Sequence, residues 1–234
     1  MRFFTQRMFR QLPVTIHRQH ARPGQVLLGD CIQLMGGIPT GSVDFILTDP
    51  PYLISYQDRN GRSVANDDNA AWLKPAVAQM YRVLKPNSLC ISFYGWPKIG
   101  LFMHAWRAAG FRPVGHLLFR KSYASRTGFL RSEHEAAYLL AKGKPQRPAK
   151  PIGDVLDWTY SGNKLHPTQK PVEVLRSLIE AFTLSGELVF DPFCGSGSTL
   201  VAAAQLGRAW LGMELDATHH KTAIQRMATE GRCL

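Results

Sequence analysis

Asp49-Pro50-Pro51-Tyr52 is the stretch of this chain whose residue types can do chemistry together. It follows an apolar run, Val43-Asp44-Phe45-Ile46-Leu47-Thr48. Two prolines remove two backbone donors and fix two φ angles, so the carbonyls around them are rigid and free to accept. The carboxylate adds another acceptor, and Tyr52 adds a flat ring. Together these groups suit the grip of a flat, NH2-bearing ring.

A second chemical stretch is Asp191-Pro192-Phe193-Cys194-Gly195-Ser196-Gly197-Ser198-Thr199. It reads as a strand end, a glycine turn and a helix start. Gly195 and Gly197 let the backbone approach a ligand closely, and a helix start offers free N–H groups. Asp191 begins the turn, and Glu214 ends the following strand, where a carboxylate commonly grips a ribose diol. The spacing is not GxGxxG and lacks the Lys-Ser/Thr of a phosphate loop, which argues against a dinucleotide and a triphosphate. A cofactor with a ribose and a charged amino-acid tail fits better.

Both turns need strands to deliver them. Residues 43–48 and 188–190 read as buried parallel strands. Further strands are predicted at 25–28, 89–94, 113–119, 135–140 and 209–213. Apolar residues recur at helical spacing from Trp72 to Leu84 and from Val172 to Phe182, with further helices predicted at 31–38, at 98–109, after Thr199 and at the carboxyl end. Strands alternating with helices predict an α/β fold around a mostly parallel sheet. Residues 53–69 read as a long polar loop beside the site. Residues 142–165, where Lys142, Lys144, Arg147 and Lys150 alternate with prolines, read as an exposed, semi-extended basic connector. One domain over 25–234 is expected, preceded by a basic extension over 1–24.

The chain has 234 residues and a formal charge of +11, which points to a polyanionic partner, nucleic acid first. Its first 29 residues hold Arg2, Arg7, Arg10, Arg18 and Arg22 and no acid, a composition compatible with a nucleic-acid arm, a transit peptide or a loose tail. Cys31, Cys90, Cys194 and Cys233 show no metal-ligand spacing, so no metal is expected, and a reduced, cytoplasmic setting fits. No apolar run approaches a membrane span.

The two turns together resemble the S-adenosylmethionine-dependent DNA amino-methyltransferases. The ring-gripping motif precedes the cofactor motif, which is the order of their beta group. His166-Pro167-Thr168-Gln169-Lys170-Pro171 is similar to a third motif of that group, and Gly29-Asp30 and Gly212-Met213-Glu214 are similar to two more. The resemblance spans residues 26 to 228, roughly. It implies a Rossmann-like methyltransferase fold, a mostly parallel seven-stranded sheet with helices on both faces. It also implies roles. Asp191, Gly195 and Gly197 would frame the methionine end of S-adenosyl-L-methionine, and Phe193, Ser196, Ser198 and Thr199 would be further cofactor-binding residues. Glu214 would hold the ribose and Asp30 would lie at the adenine, while Pro167, Thr168 and Lys170 would close over the cofactor.

At the first motif, the exocyclic nitrogen of a base must turn towards sp3 before it attacks a methyl. Asp49 and the Pro50 carbonyl would take its two hydrogens, and positioning would do much of the catalysis. The base must leave the duplex, at a cost of roughly a few kcal/mol, and Tyr52 would recover part of that by stacking. An aspartate before Pro-Pro-Tyr goes with N6-adenine in this family, and a serine with N4-cytosine. The expected activity is adenine-N6 methylation of double-stranded DNA. The alternatives are N4-cytosine methylation and a nucleic-acid-binding relative without catalysis. Leu53 departs from the polar residue many relatives have there. Phe119-Arg120-Lys121 stands where relatives often have Trp-x-Lys. Arg59, Arg62, Lys121, Arg126 and Arg131 would line a phosphate track. The short 142–165 segment leaves little chain for a recognition domain, so a short target or relaxed specificity is expected, with a homodimer as one source of further contacts.

Overall fold

The computed structural model describes residues 21–55, 66–124, 129–158 and 169–231. Its strands are β1 (Gln25–Leu28), β2 (Val43–Thr48), β3 (Leu84–Phe93), β4 (Arg112–Lys121), β5 (His134–Lys142), β6 (Val155–Trp158), β7 (Leu188–Asp191) and β8 (Ala209–Glu214). Its helices are α1 (Cys31–Met35), α2 (Leu73–Val83), α3 (Ile99–Ala109), α4 (Val172–Phe182), α5 (Ser198–Gln205) and α6 (Ala217–Thr229). The strands form one sheet in the order β1-β8-β7-β2-β3-β5-β4-β6. Only β5 runs antiparallel to its neighbours; every other pairing is parallel.

The central strands are apolar without a break because both faces of the sheet are covered. Along β2, Ile46 packs with α1, α2 and α3 through Met35, Val77, Met80 and Trp106. Its neighbours Phe45 and Leu47 point the other way, onto Leu175, Leu178 and Ile179 of α4 and Ala202 and Ala203 of α5. β3 and β7 divide their residues in the same manner, with Cys90 and Phe190 on the first face and Ile91 and Val189 on the second. The carboxyl ends of β1, β8, β7, β2 and β3 therefore lie side by side along one edge.

Among the described residues the sheet has eight strands, where the resemblance implied seven. The additional strand is β6, inside the stretch that reads as connector. It pairs with β4 at the sheet edge, from Leu118↔Val155 to Lys121↔Trp158. Four residues give too little periodicity to stand out beside a Pro/Lys-rich run. Trp158 anchors it, packing edge-on against Phe93 at 6.4 Å and Phe119 at 5.8 Å. β3 also begins earlier than the predicted 89–94, at Leu84, and runs through Pro86. Its pairing with β2 slips between Val43 and Phe45, and Asn87 takes a φ of +58° there, so the proline sits in an irregularity and costs no regular ladder bond. The helix over 99–109 ends as expected, at Gly110 with a φ of +102°.

Candidate functional site

β2 and β7 are neighbours in the sheet, so the two chemical turns emerge side by side. A buried hydrogen bond ties them: Thr48 Oγ1 donates to Asp191 Oδ1 at 2.7 Å. On the other side of β7, Gly29 N donates to the Glu214 carbonyl at 2.8 Å, which joins the ends of β1 and β8. Between these strand ends lies a cavity of about 270 Å3, close to the lower end of small-molecule sites at roughly 300 Å3. Asp49, Pro50, Pro51 and Tyr52 form one wall, and Asp30, Phe193, Gly195 and Glu214 form the opposite one.

Asp49 is held by two side chains. Tyr52 Oη donates to its Oδ1 at 2.8 Å. Lys170 Nζ donates to its Oδ2 at 2.5 Å and to Tyr52 Oη at 3.3 Å. The Lys170 side chain is 8% exposed and its ammonium also lies over the rings of Phe93 at 5.0 Å and Trp158 at 5.8 Å. Burial pushes the Asp49 carboxyl up from its ordinary range; the charge and hydrogen bond of Lys170 and the Tyr52 hydroxyl pull it back. The Tyr52 phenol is pushed well up by burial, then by the negative charges of Asp49 and Glu135. Tyr52 itself is seated on Gly95, just past β3. A Cβ added there would stand 2.7 Å from Tyr52 Cβ and 2.8 Å from its carbonyl oxygen, so only glycine fits under the ring's backbone.

The chain beyond Tyr52 turns sharply. Leu53, Ser55 and Asn66 take φ values of 61°, 52° and 60°, left-handed conformations that cost non-glycine residues energy and gather at functional sites. Asp67 braces that turn: its carboxylate accepts from Leu53 N at 2.5 Å, and its carbonyl accepts from Ser55 N at 3.0 Å. Leu53 is buried in the core.

On the cofactor side, Asp30 caps α1 by accepting from Ile32 N at 2.8 Å and still lines the cavity, so the cap and the place at the cavity coexist. Glu214 accepts from Gly195 N and Asp216 N, each at 2.8 Å. Phe193 meets Trp72 edge-to-face at 5.1 Å, and with Ile32 they give the cavity an apolar flank. A carboxylate at a strand end, an apolar flank and exposed turn backbone form a donor set that fits a nucleoside carrying an amino-acid tail.

The other predicted cofactor residues lie behind this wall. Asp191 is buried and accepts from Thr48 and from Phe193 N at 3.0 Å, and burial raises its carboxyl to about 7. Ser196 and Ser198 face α6, where buried Arg226 donates to the Ser196 carbonyl at 3.0 Å and to Ser198 Oγ at 3.1 Å. Gly197 has a φ of +82°, and a Cβ there would stand 3.2 Å from Ala223 of α6. These groups shape the turn and do not line the cavity. Lys170 also differs from expectation, since its ammonium sits on Asp49 and outside the cavity lining. Pro167 and Thr168 lie outside the described residues.

Of the phosphate-track set, Arg59, Arg62 and Arg126 lie outside the described residues. Arg131 is exposed and pairs with Glu133 at 2.7 Å. Lys121 requires a correction. Its side chain is 2% exposed and its ammonium pairs with Glu135 at 3.2 Å, so it is buried between β4 and β5 and is not part of a surface track. Cys31, Cys90 and Cys194 are buried, and burial pushes each thiol up, to about 12 for Cys31. Sequence reading missed Glu135, Asp67, Gly95, Trp158 and Arg226, none of which lies in a motif. No group of His, Cys, Asp and Glu among the described residues has the arrangement of a metal site. No helix there is long and apolar enough to cross a membrane.

Comparison with known proteins agrees with this geometry. Residues 43–225 match a family described as DNA methylase. A protein of Escherichia coli strain K12, "Putative methylase YubD", is 52% identical over 206 residues, covering 88% of this chain and 91% of that one. TTHA0409 of Thermus thermophilus, solved with S-adenosyl-L-methionine, aligns at a TM-score of 0.66 with 23% identity, covering 88% of this chain and 95% of that one. The PvuII DNA methyltransferase (cytosine-N4-specific) aligns at 0.72 with 17% identity, covering 88% and 86%. The last two likenesses establish the fold.

Proposed function

This chain belongs to the DNA methylase family, and we propose that within it the chain methylates the N6 amino group of adenine in double-stranded DNA. The family uses S-adenosyl-L-methionine, which when bound supplies an electrophilic methyl on a sulfonium. The cavity wall of Asp30, Phe193, Gly195 and Glu214 would hold it: Glu214 at the ribose diol, Asp30 and the apolar flank at the adenine, and the Gly195 turn at the amino-acid end.

The observation that carries the adenine reading is an aspartate at the end of β2, its carboxylate on the cavity wall beside Tyr52. The amine is a poor nucleophile while its lone pair is delocalised into the ring. Asp49 accepts one N–H and the Pro50 carbonyl the other, so the lone pair leaves the ring plane and points across the cavity. An ionised carboxylate accepts at about four lone-pair positions, so the bonds from Tyr52 and Lys170 leave room for the amine. Tyr52 stacks on the extruded base, a contact of about 1–3 kcal/mol in comparable sites. Lys170 opposes the burial that pushes the Asp49 carboxyl up. A cytoplasmic setting beside the genome suits this chemistry.

A cytosine-N4 enzyme shares the fold, so the product decides. Labelled methyl from S-adenosyl-L-methionine is given to unmethylated DNA and the nucleosides are separated. N6-methyladenine is expected. N4-methylcytosine would replace the adenine reading, and an unlabelled product would remove both. Asp49→Ala is expected to abolish transfer while cofactor binding persists.

A further inference from the structure

Single apolar side chains stand in water on most proteins. Here two consecutive large ones do so almost completely. Phe129 is fully exposed, at 109%, and Leu130 is 84% exposed. Both lie in the connection between β4 and β5, and neither packs with a core cluster. From 120 to 132 the sequence holds no acid. Arg131 follows the pair and meets Glu133 in an exposed ion pair, a contact weak enough for a phosphate to displace.

The topology fixes where this pair stands. β5 runs antiparallel to β3, with Ala137 opposite Phe93. The residues of β5 before Ala137 therefore run out past the carboxyl end of β3, the end at which Gly95 seats Tyr52. The hairpin stem extends further, for Arg120 pairs with His134 and Lys121 N donates to the Glu133 carbonyl at 2.8 Å. Phe129 and Leu130 follow beyond that stem, on the same edge of the sheet as the cavity. β5 is two strand spacings from β2, about 10 Å, which is less than the roughly 12 Å width of a major groove. A duplex that offers a base to Asp49 and Tyr52 thus lies against the β4–β5 connection. Such a duplex must open one step, because the target base leaves both its stack and its partner. Apolar side chains inserted between base steps hold a stack open, and an aromatic ring replaces part of the stacking that is lost. Phe129 brings a flat ring with no polar atom to strand between bases, and it leaves water to get there, which is favourable in itself.

We propose that Phe129, backed by Leu130, is a wedge for duplex DNA: it enters the stack at the step the target base leaves, and so keeps that base out in the cavity. Phe129 makes and breaks no covalent bond. The role presupposes that the chain methylates a base of duplex DNA, whichever base that is. A second copy of this chain is the other partner that an exposed apolar pair could meet.

The test compares two duplexes. One is a duplex that the parent protein methylates, at a base located by product analysis. The other differs only in an abasic sugar opposite that base, so that the target is already unpaired. In Phe129→Ser combined with Leu130→Ser, kcat/KM is expected to fall at least about tenfold on the paired duplex and to stay near the parent value on the unpaired one. The Tm and the Kd for S-adenosyl-L-methionine are expected to stay at the parent values, since neither side chain packs in the core. Phe129→Trp, which keeps a flat apolar ring, retains most of the rate on the paired duplex. Leu184→Ser, at a leucine 73% exposed between α4 and β7 at the opposite end of the strands, changes neither rate. An equal loss on both duplexes would overturn the wedge. So would an unchanged rate on the paired duplex; a lower mass in sedimentation than the parent would then mark the pair as a contact between copies. A parent that transfers no methyl would remove the proposed activity and this role with it, whereas the other two results remove the role alone. N4-methylcytosine as product would remove the adenine reading while the comparison of duplexes still decides the wedge.

Discussion

At the scale of single residues, the site is a buried carboxylate with an ammonium set against it. Burial raises Asp49 and Lys170 opposes it, so removing the ammonium has a definite sign. In Lys170→Met the Asp49 carboxyl ionises only at higher pH, and the acid limb of the kcat/KM profile moves upward. A limb that stays in place would mean that Asp49 does not set it. Asp191 carries a second pH dependence. Its folded-state value of about 7 lies above the ordinary 3.8. The folded protein therefore binds the proton more tightly than the unfolded chain across that window, and Asp191 lowers stability as pH rises through it. Asp191→Asn does not titrate. Relative to the parent, its Tm is expected to gain steadily between about pH 4 and pH 7 and to hold level above. Asp49 and Tyr52 were legible in the sequence because their chemistry is contiguous. Lys170 was legible as a motif residue but not as the partner of Asp49, since 121 residues separate them. Glu135 has no local signal at all, because its meaning comes from the strand that brings it beside Tyr52.

At the scale of elements, two packings hold the turns in shape. Gly95 follows β3 directly beneath Tyr52. Its φ is −82°, which any residue adopts, so Gly95→Ala introduces a clash without backbone strain. The methyl is expected to push Tyr52 off Asp49, lowering transfer far more than it lowers Tm; equal losses would show that the seat under Tyr52 is only structural. Behind the second turn, α6 presents Arg226 to Ser196 and Ser198. Arg226→Met removes charged hydrogen bonds to the turn, each of the ~1.5–3 kcal/mol class. A loss of about 2 kcal/mol corresponds to a Tm fall of about 4–8 °C in a chain of this size. The Kd for S-adenosyl-L-methionine is expected to rise with it, and an unchanged Kd would show that the turn keeps its shape unaided. The long helices and the central strands were readable, because their apolar periodicity extends over many residues. β6 was not, because its evidence is one tryptophan meeting two phenylalanines from other strands.

At the scale of the whole molecule, the parallel order of β1, β8, β7, β2 and β3 brings the Asp30–Glu214 wall and the Asp49–Tyr52 wall of the cavity to one edge. The Thr48–Asp191 bond shows how closely the two turns meet there. The charge of +11 acts at this scale too. Contact with several phosphates releases counterions, so DNA affinity is expected to fall at least about tenfold between 50 and 200 mM salt. A flat titration would reject a phosphate track, whichever arginines form it. The edge strand β6 has a practical bearing of its own. Its Trp158 lies over the Lys170 ammonium that holds Asp49, while the stretch just before it, 143–154, forms neither helix nor strand. An engineer wishing to graft a reader of longer DNA words onto this scaffold has a natural splice point in 143–154. The graft must hand the chain back by Val155, because β6 pairs with β4 and carries Trp158 to the Lys170 ammonium, and so is not spare linker.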